Sequence, residues 1–74
     1  MDSPMASKVL AAHVAKAVAA HRFLLGWSQA ELAAKVGVTR QHIDLVERGK
    51  VSPSLKTLEA LATALGVRAA DLMP

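Results

Sequence analysis

Apolar residues recur along this chain at intervals of three and four, and four glycines interrupt the runs. That spacing belongs to amphipathic helices. In "SKVLAAHVAKAVAAHRFLLG", from Ser7 to about Leu25, Val14, Val18 and Leu25 share one face, with His21 and Arg22 beside them. Gly26 follows as a C′ residue able to take the left-handed conformation that ends a helix. A second helix opens at Ser28 with a capping box to Glu31, and Trp27 and Leu32 stand at the spacing of a hydrophobic staple. Gly37 closes it. A third starts after Thr39, a good N-cap, repeats the staple spacing with Val38 and Ile43, and ends at Gly49. Beyond the loop "KVSPS", either Ser52 with Pro53 at the first helical position or Ser54 caps a fourth helix. Leu55, Leu58, Ala62 and Leu65 form its apolar stripe, and Gly66 terminates it. "VRAADLMP" leaves room for one short turn, poorly capped because Arg68 occupies the cap position. No strand pattern, repeat or low-complexity tract interrupts this order. The expectation is an all-α, compact five-helix domain over residues 7–74, preceded by a flexible terminus at 1–6.

The stretch "SQAELAAKVGVTRQHIDLVERGK", Ser28 to Lys50, joins two capped helices through only "GVT". A tight helix-turn-helix needs a small residue where the helices cross and a residue tolerant of positive φ in the turn, and Ala33 and Gly37 meet those needs four residues apart. Ile43 and Val46 then point toward the core beside Leu32 and Val36. The opposite face of the third helix carries Arg40, Gln41, Asp44, Leu45 and Arg48, which can donate and accept hydrogen bonds and are positive near both ends. One helix holds the other, and the second is presented outward. Glu47 falls on its inward side.

Composition narrows the partners. With 74 residues the chain is one small domain. It has no cysteine, which excludes disulfides and thiolate zinc sites and suits a reducing cytoplasm. No apolar run reaches the roughly 18 residues of a membrane span, and "MDSPMASK" lacks the features of a signal peptide. The formal net charge is +3, with Lys35, Arg40, Arg48, Lys50 and Lys56 concentrated around the presented helix, opposed mainly by Asp44 and Glu47. Clustered positive charge suits a phosphate-bearing partner. The three histidines do not form a metal site, since His13 and His21 lie about 12 Å apart along one helix and His42 belongs to another. No nucleophile has a base beside it and no glycine loop could cradle phosphate, so neither an enzyme, a cofactor nor a small-molecule ligand is expected.

Arg22, "GWSQAELAAKVGVTRQHIDLVERGK", "PSLKTLEALATALGV" and Leu72 together resemble the lambda-repressor-like, Cro-type (XRE-type) helix-turn-helix DNA-binding family over nearly the whole chain. The resemblance implies that the third helix enters the major groove of double-stranded DNA. It assigns base contacts to Arg40 and Gln41, with Thr39, Asp44 and Leu45 nearby. Phosphate contacts fall to Gln29 at the start of the second helix and to Arg48 and Lys50, with His42 either at a phosphate or at the core edge. It also pairs Arg22 with Glu47 inside the domain. Family dimers commonly use the end of the fourth helix and the segment after it, here Gly66 to Met73, which implies a homodimer on a palindromic operator. Two departures stand out: Leu45 stands where relatives often carry a polar reader, and His21 sits at a position usually apolar; the long alanine-rich first helix is also atypical.

The helical pattern fills the chain, leaving no room within it for an effector domain. The function expected is that of a small transcriptional regulator of phage-regulator, restriction–modification-controller or antitoxin type, in the cytoplasm on the nucleoid. The alternative is a helical protein-interaction module that keeps the fold without DNA binding and uses Leu45 and Phe23 as contacts. The two differ in salt dependence, which is steep only for a polyanionic partner.

Overall fold

The computed structural model describes residues 4–74. It contains α1 (Pro4–Leu24), α2 (Gln29–Val36), α3 (Arg40–Glu47), α4 (Leu55–Leu65) and a terminal 3-10 turn (Ala69–Leu72), with no strand among the described residues. The class is therefore all-α, but the fifth expected helix is only this short turn. Its brevity has a local cause. Residues preceding proline avoid the α region, and Met73, before Pro74, is extended at φ −108° and ψ 157°. The turn is also better capped than Arg68 suggested, because the Asp71 carboxylate accepts from the Arg68 N–H at 2.9 Å.

α1 starts before Ser7. Pro4 opens it, as expected of a residue whose fixed φ suits a first turn. Residues 4–6 of the anticipated flexible terminus are thus helical, and 1–3 lie outside the described residues. The buried face of α1 is Ala11, Val14, Ala15 and Val18. Leu25 does not join it: the helix ends at Leu24, and Leu25 is 45% exposed in the turn that follows. The alanines have a packing role. Gly49, at φ +69°, lies against α1, and a Cβ there would stand 3.8 Å from Ala12 Cα and 3.9 Å from Ala15 Cβ. Bulkier residues on α1 would push away the loop that follows α3.

The chain turns through 105° between α1 and α2. The Ser28 hydroxyl accepts from the Glu31 N–H at 3.0 Å, and the Glu31 carboxylate accepts from the Ser28 N–H at 3.0 Å. At the other end Gly37 takes φ +84°, and the N–H groups of Gly37 and Val38 both donate to the Ala33 carbonyl. Ala33 itself is buried where α2 meets α3. Thr39 caps α3 by accepting from the His42 N–H at 3.0 Å. Of the two candidate caps for α4 the structure uses Ser54, which accepts from the Thr57 N–H at 3.2 Å. The α4 stripe is Leu58, Leu61, Ala62 and Leu65, while Leu55, the first helical residue, is 66% exposed. Leu55 precedes the turn at which α4 reaches the core, so its expected place falls to Leu61.

Val14, Val18, Leu32, Ile43, Val46, Leu61 and Leu72 are the large fully buried side chains, and they form one cluster drawn from every element. Ala33 contributes little area but sets the α2–α3 separation. Ala33→Leu adds volume to a closely packed crossing and should cost about 1–3 kcal/mol, read as a lower melting temperature. The capping box adds a pH dependence. The Ser28 N–H holds the Glu31 carboxyl below its ordinary 4.5. A depressed folded value contributes stability above the unfolded value that is lost as pH falls through the folded one. On acidification below pH 4.5, melting temperature should therefore fall more steeply for the parent chain than for Glu31→Gln, as followed by circular dichroism.

Candidate nucleic-acid interface

α3 divides as its 3.6-residue period requires. Ile43 and Val46 are fully buried in the core. Thr39, Arg40, Gln41 and Arg48 are exposed, and His42, Asp44 and Leu45 are half-buried beside them. Lys50 is exposed just past the helix end. Leu45 is therefore less available than an outward-facing reader would be.

Beneath this face lies a hydrogen-bonded network. Arg22 grips Glu47 with two parallel bonds, Nε to Oε2 at 2.6 Å and Nη2 to Oε1 at 2.9 Å. The two side chains are only 12% and 7% exposed. The remaining Arg22 nitrogen, Nη1, donates to the Trp27 carbonyl at 2.7 Å, so the same guanidinium fixes the turn between α1 and α2. The Glu47 hydrogen bond raises the Arg22 pKa above its ordinary value, outweighing the opposing effect of burial, and the guanidinium stays charged.

Gln29 extends the network to the surface. Its Nε2 donates to Glu47 Oε1 at 3.1 Å and to Asp44 Oδ1 at 3.3 Å, while its Oε1 accepts from Arg40 Nη1 at 3.0 Å. The orientation of the amide is dictated by its neighbours: carboxylates accept only donors, and a guanidinium donates only to an acceptor. A residue assigned by resemblance to phosphate thus has its side chain committed within the protein, leaving the start of α2 as what it can offer outside. Nothing in the local sequence signals this. The one clue is that Gln29 and Arg40 each open a helix of the same tight hairpin. Asp44 and Arg48 add an i,i+4 pair at 3.5 Å, mostly exposed and worth little.

The other singled-out residues sit apart. Trp27 is half-buried against the core, with Lys35 Nζ 4.6 Å from its ring. Phe23 is 75% exposed, and the Arg22 guanidinium lies 5.1 Å from its centroid. His13 is exposed, His21 and His42 are half-buried, and no three potential ligands cluster among the described residues.

Two capped helices about a positive-φ glycine, with a polar face presented outward over a buried ion pair, define a helix-turn-helix protein. The helix-turn-helix family model matches residues 19–72. An uncharacterized HTH-type transcriptional regulator of Methanothermobacter thermautotrophicus is 54% identical over 46 residues, 62% of this chain and 67% of that protein. The immunity repressor of Bacillus phage phi105 is 39% identical over 62% of this chain and 32% of its own. Among solved structures, hypothetical transcription factor NHTF from Neisseria superposes with a TM-score of 0.85 at 37% identity, covering 92% of this chain and 78% of that one. The restriction-modification controller protein C.AhdI from Aeromonas hydrophila gives 0.81 at 32%, covering 85% and 96%. The chain belongs to the lambda-repressor-like, Cro-type (XRE-type) helix-turn-helix DNA-binding family. The fold also occurs in 36% of the chain of hydroxypropylphosphonic acid epoxidase from S. wedmorenis, at TM-score 0.84 and 25% identity. Fold likeness does not by itself decide activity.

Glu47→Ala would leave a buried guanidinium uncompensated and release Gln29 from one of its acceptors. Breaking a buried pair in this way costs about 3–5 kcal/mol, comparable with the whole stability of a small domain. Thermal and urea melts should show a chain largely unfolded at room temperature; a midpoint near that of the parent would mean the pair contributes nothing to holding α3 on α1.

Proposed function

We propose that this chain is a small transcriptional regulator that binds double-stranded DNA sequence-specifically through α3 in the major groove. The observation that carries the reading is Arg40: exposed at the first turn of α3, and braced by Gln29 rather than neutralised by a carboxylate. A planar fork so placed suits guanine O6 and N7, and the Gln41 amide suits adenine N6 and N7. Thr39, Asp44 and Leu45 border them. Arg48, Lys50, His42 and the start of α2 at Gln29 serve the phosphates, which position the protein without carrying sequence. Two copies joined through Gly66 to Met73 would read a palindromic operator, since one module alone covers only about 600–1,000 Å². The family relatives are named as transcriptional regulators, and the reading carries with it a cytoplasmic place on the nucleoid and no catalytic role. Phage regulators and restriction–modification controllers are the systems its relatives suggest.

A protein-interaction role is favoured by one observation, the exposure of Phe23 and Leu24 at 75% and 83%. Salt separates the two. Selection from random duplexes should return inverted half-sites centred about 10 base pairs apart, the spacing of successive major grooves on one face. On such a site Arg40→Ala and Gln41→Ala should each cost about 1–3 kcal/mol and relax preference at one base position. Equal weakening of operator and scrambled duplexes by Arg40→Ala would make it a backbone contact, and salt-independent binding to a protein partner with no DNA affinity would select the second reading.

A further inference from the structure

The length of α1 has a consequence outside the reading face. Between its first turns and the loop after α3 runs an open cleft of about 170 Å³, with Ser7, Lys8 and Ala11 on one side and Gly49, Lys50 and Ser52 on the other. Gly49 forms its inner end, where an added Cβ would stand 3.9 Å from the Ala11 carbonyl oxygen. Two lysines and two hydroxyls therefore line one small space, and none of the residues lining it is acidic. Both lysines are exposed, and neither forms an ion pair among the described residues. Lysines lay their carbon stems along a wall and keep their ammonium groups in water. The result is an apolar-walled niche with two positive charges at its rim. Clefts of that kind focus potential and attract anions.

The position selects which anion. Lys50 directly follows Gly49 at the end of α3, so the cleft continues the basic surface on which α3 is presented. We propose that it holds a backbone phosphate of the DNA duplex, approached by Lys8 from α1 and Lys50 from the loop, with the Ser7 and Ser52 hydroxyls available to donate to its oxygens. The first helix is then part of the DNA-binding surface and not only a support for it. This inference rests on the DNA-binding reading above.

The test uses the full chain, an operator duplex and a scrambled duplex, titrated across a range of salt. Lys8→Ala should weaken both duplexes alike and lower the salt slope by about one, which makes the affinity lost between about 50 and 200 mM salt roughly 3.5-fold smaller than for the parent. Lys16→Ala, exposed on α1 but outside the cleft, should leave the slope unchanged. Ethylating single phosphates should reveal one whose modification impairs the parent but not Lys8→Ala. An unchanged slope for Lys8→Ala, with the parent still steeply salt-dependent, overturns the proposal while leaving DNA binding intact. A parent that binds no duplex overturns the DNA-binding reading and this inference together. Amide shifts at Lys8 and Lys50 on adding inorganic phosphate, without any change in DNA slope, would assign the cleft to a free anion and overturn the duplex source.

Discussion

One ion pair organises this small domain. Arg22 and Glu47 meet in a bidentate arrangement that is almost dry, and the third nitrogen of the guanidinium holds the Trp27 carbonyl. A single side chain on α1 thus fixes the entry to α2 and the inward side of α3. A buried ion pair is weak evidence of stability in itself, because desolvation offsets much of the attraction. Its value here is directional. The core around it is built of leucine, valine, isoleucine and alanine, which pack without a strongly preferred orientation. The pair admits only one rotation of α3 about its axis, and that rotation decides which residues face outward.

Local signals in the sequence carried much of this structure. Capping at Ser28 and Thr39 and the glycine at 37 could be read because each depends on neighbours a few residues away. Errors gathered where helix phase depends on where the helix begins or stops. Leu25 and Leu55 have the right spacing for a buried stripe, yet one lies past the end of its helix and the other stands before the turn that meets the core. Ser52 and Ser54 both have the chemistry of a cap, and only the position of α4 selects Ser54. The fifth segment is the short turn its length allows, and it stops where Pro74 constrains Met73.

The interface was legible as a face but not as a network. Period alone separates Arg40, Gln41 and Arg48 from Ile43 and Val46. It cannot show that Gln29, eleven residues before Arg40, is the link between that arginine and Glu47. Non-local hydrogen bonds leave no periodic trace. The alanines of α1 pose the same difficulty, since their small size makes sense only once Gly49 is found resting against them. The epoxidase that shares the fold shows why such detail matters: helices of this arrangement occur in proteins of different activity, so the fold alone does not decide what the chain does.

The bond from Arg40 to Gln29 also bears on the thermodynamics of recognition. A free arginine on a surface has many rotamers, and immobilising such a side chain costs about 0.5–1.5 kcal/mol when a complex forms. Arg40 is already tethered, through an amide that is itself oriented by two carboxylates. Part of that entropy is therefore lost when the chain folds, before any partner arrives. On the proposed reading, the outward face of α3 meets its target with Arg40 aimed rather than searching.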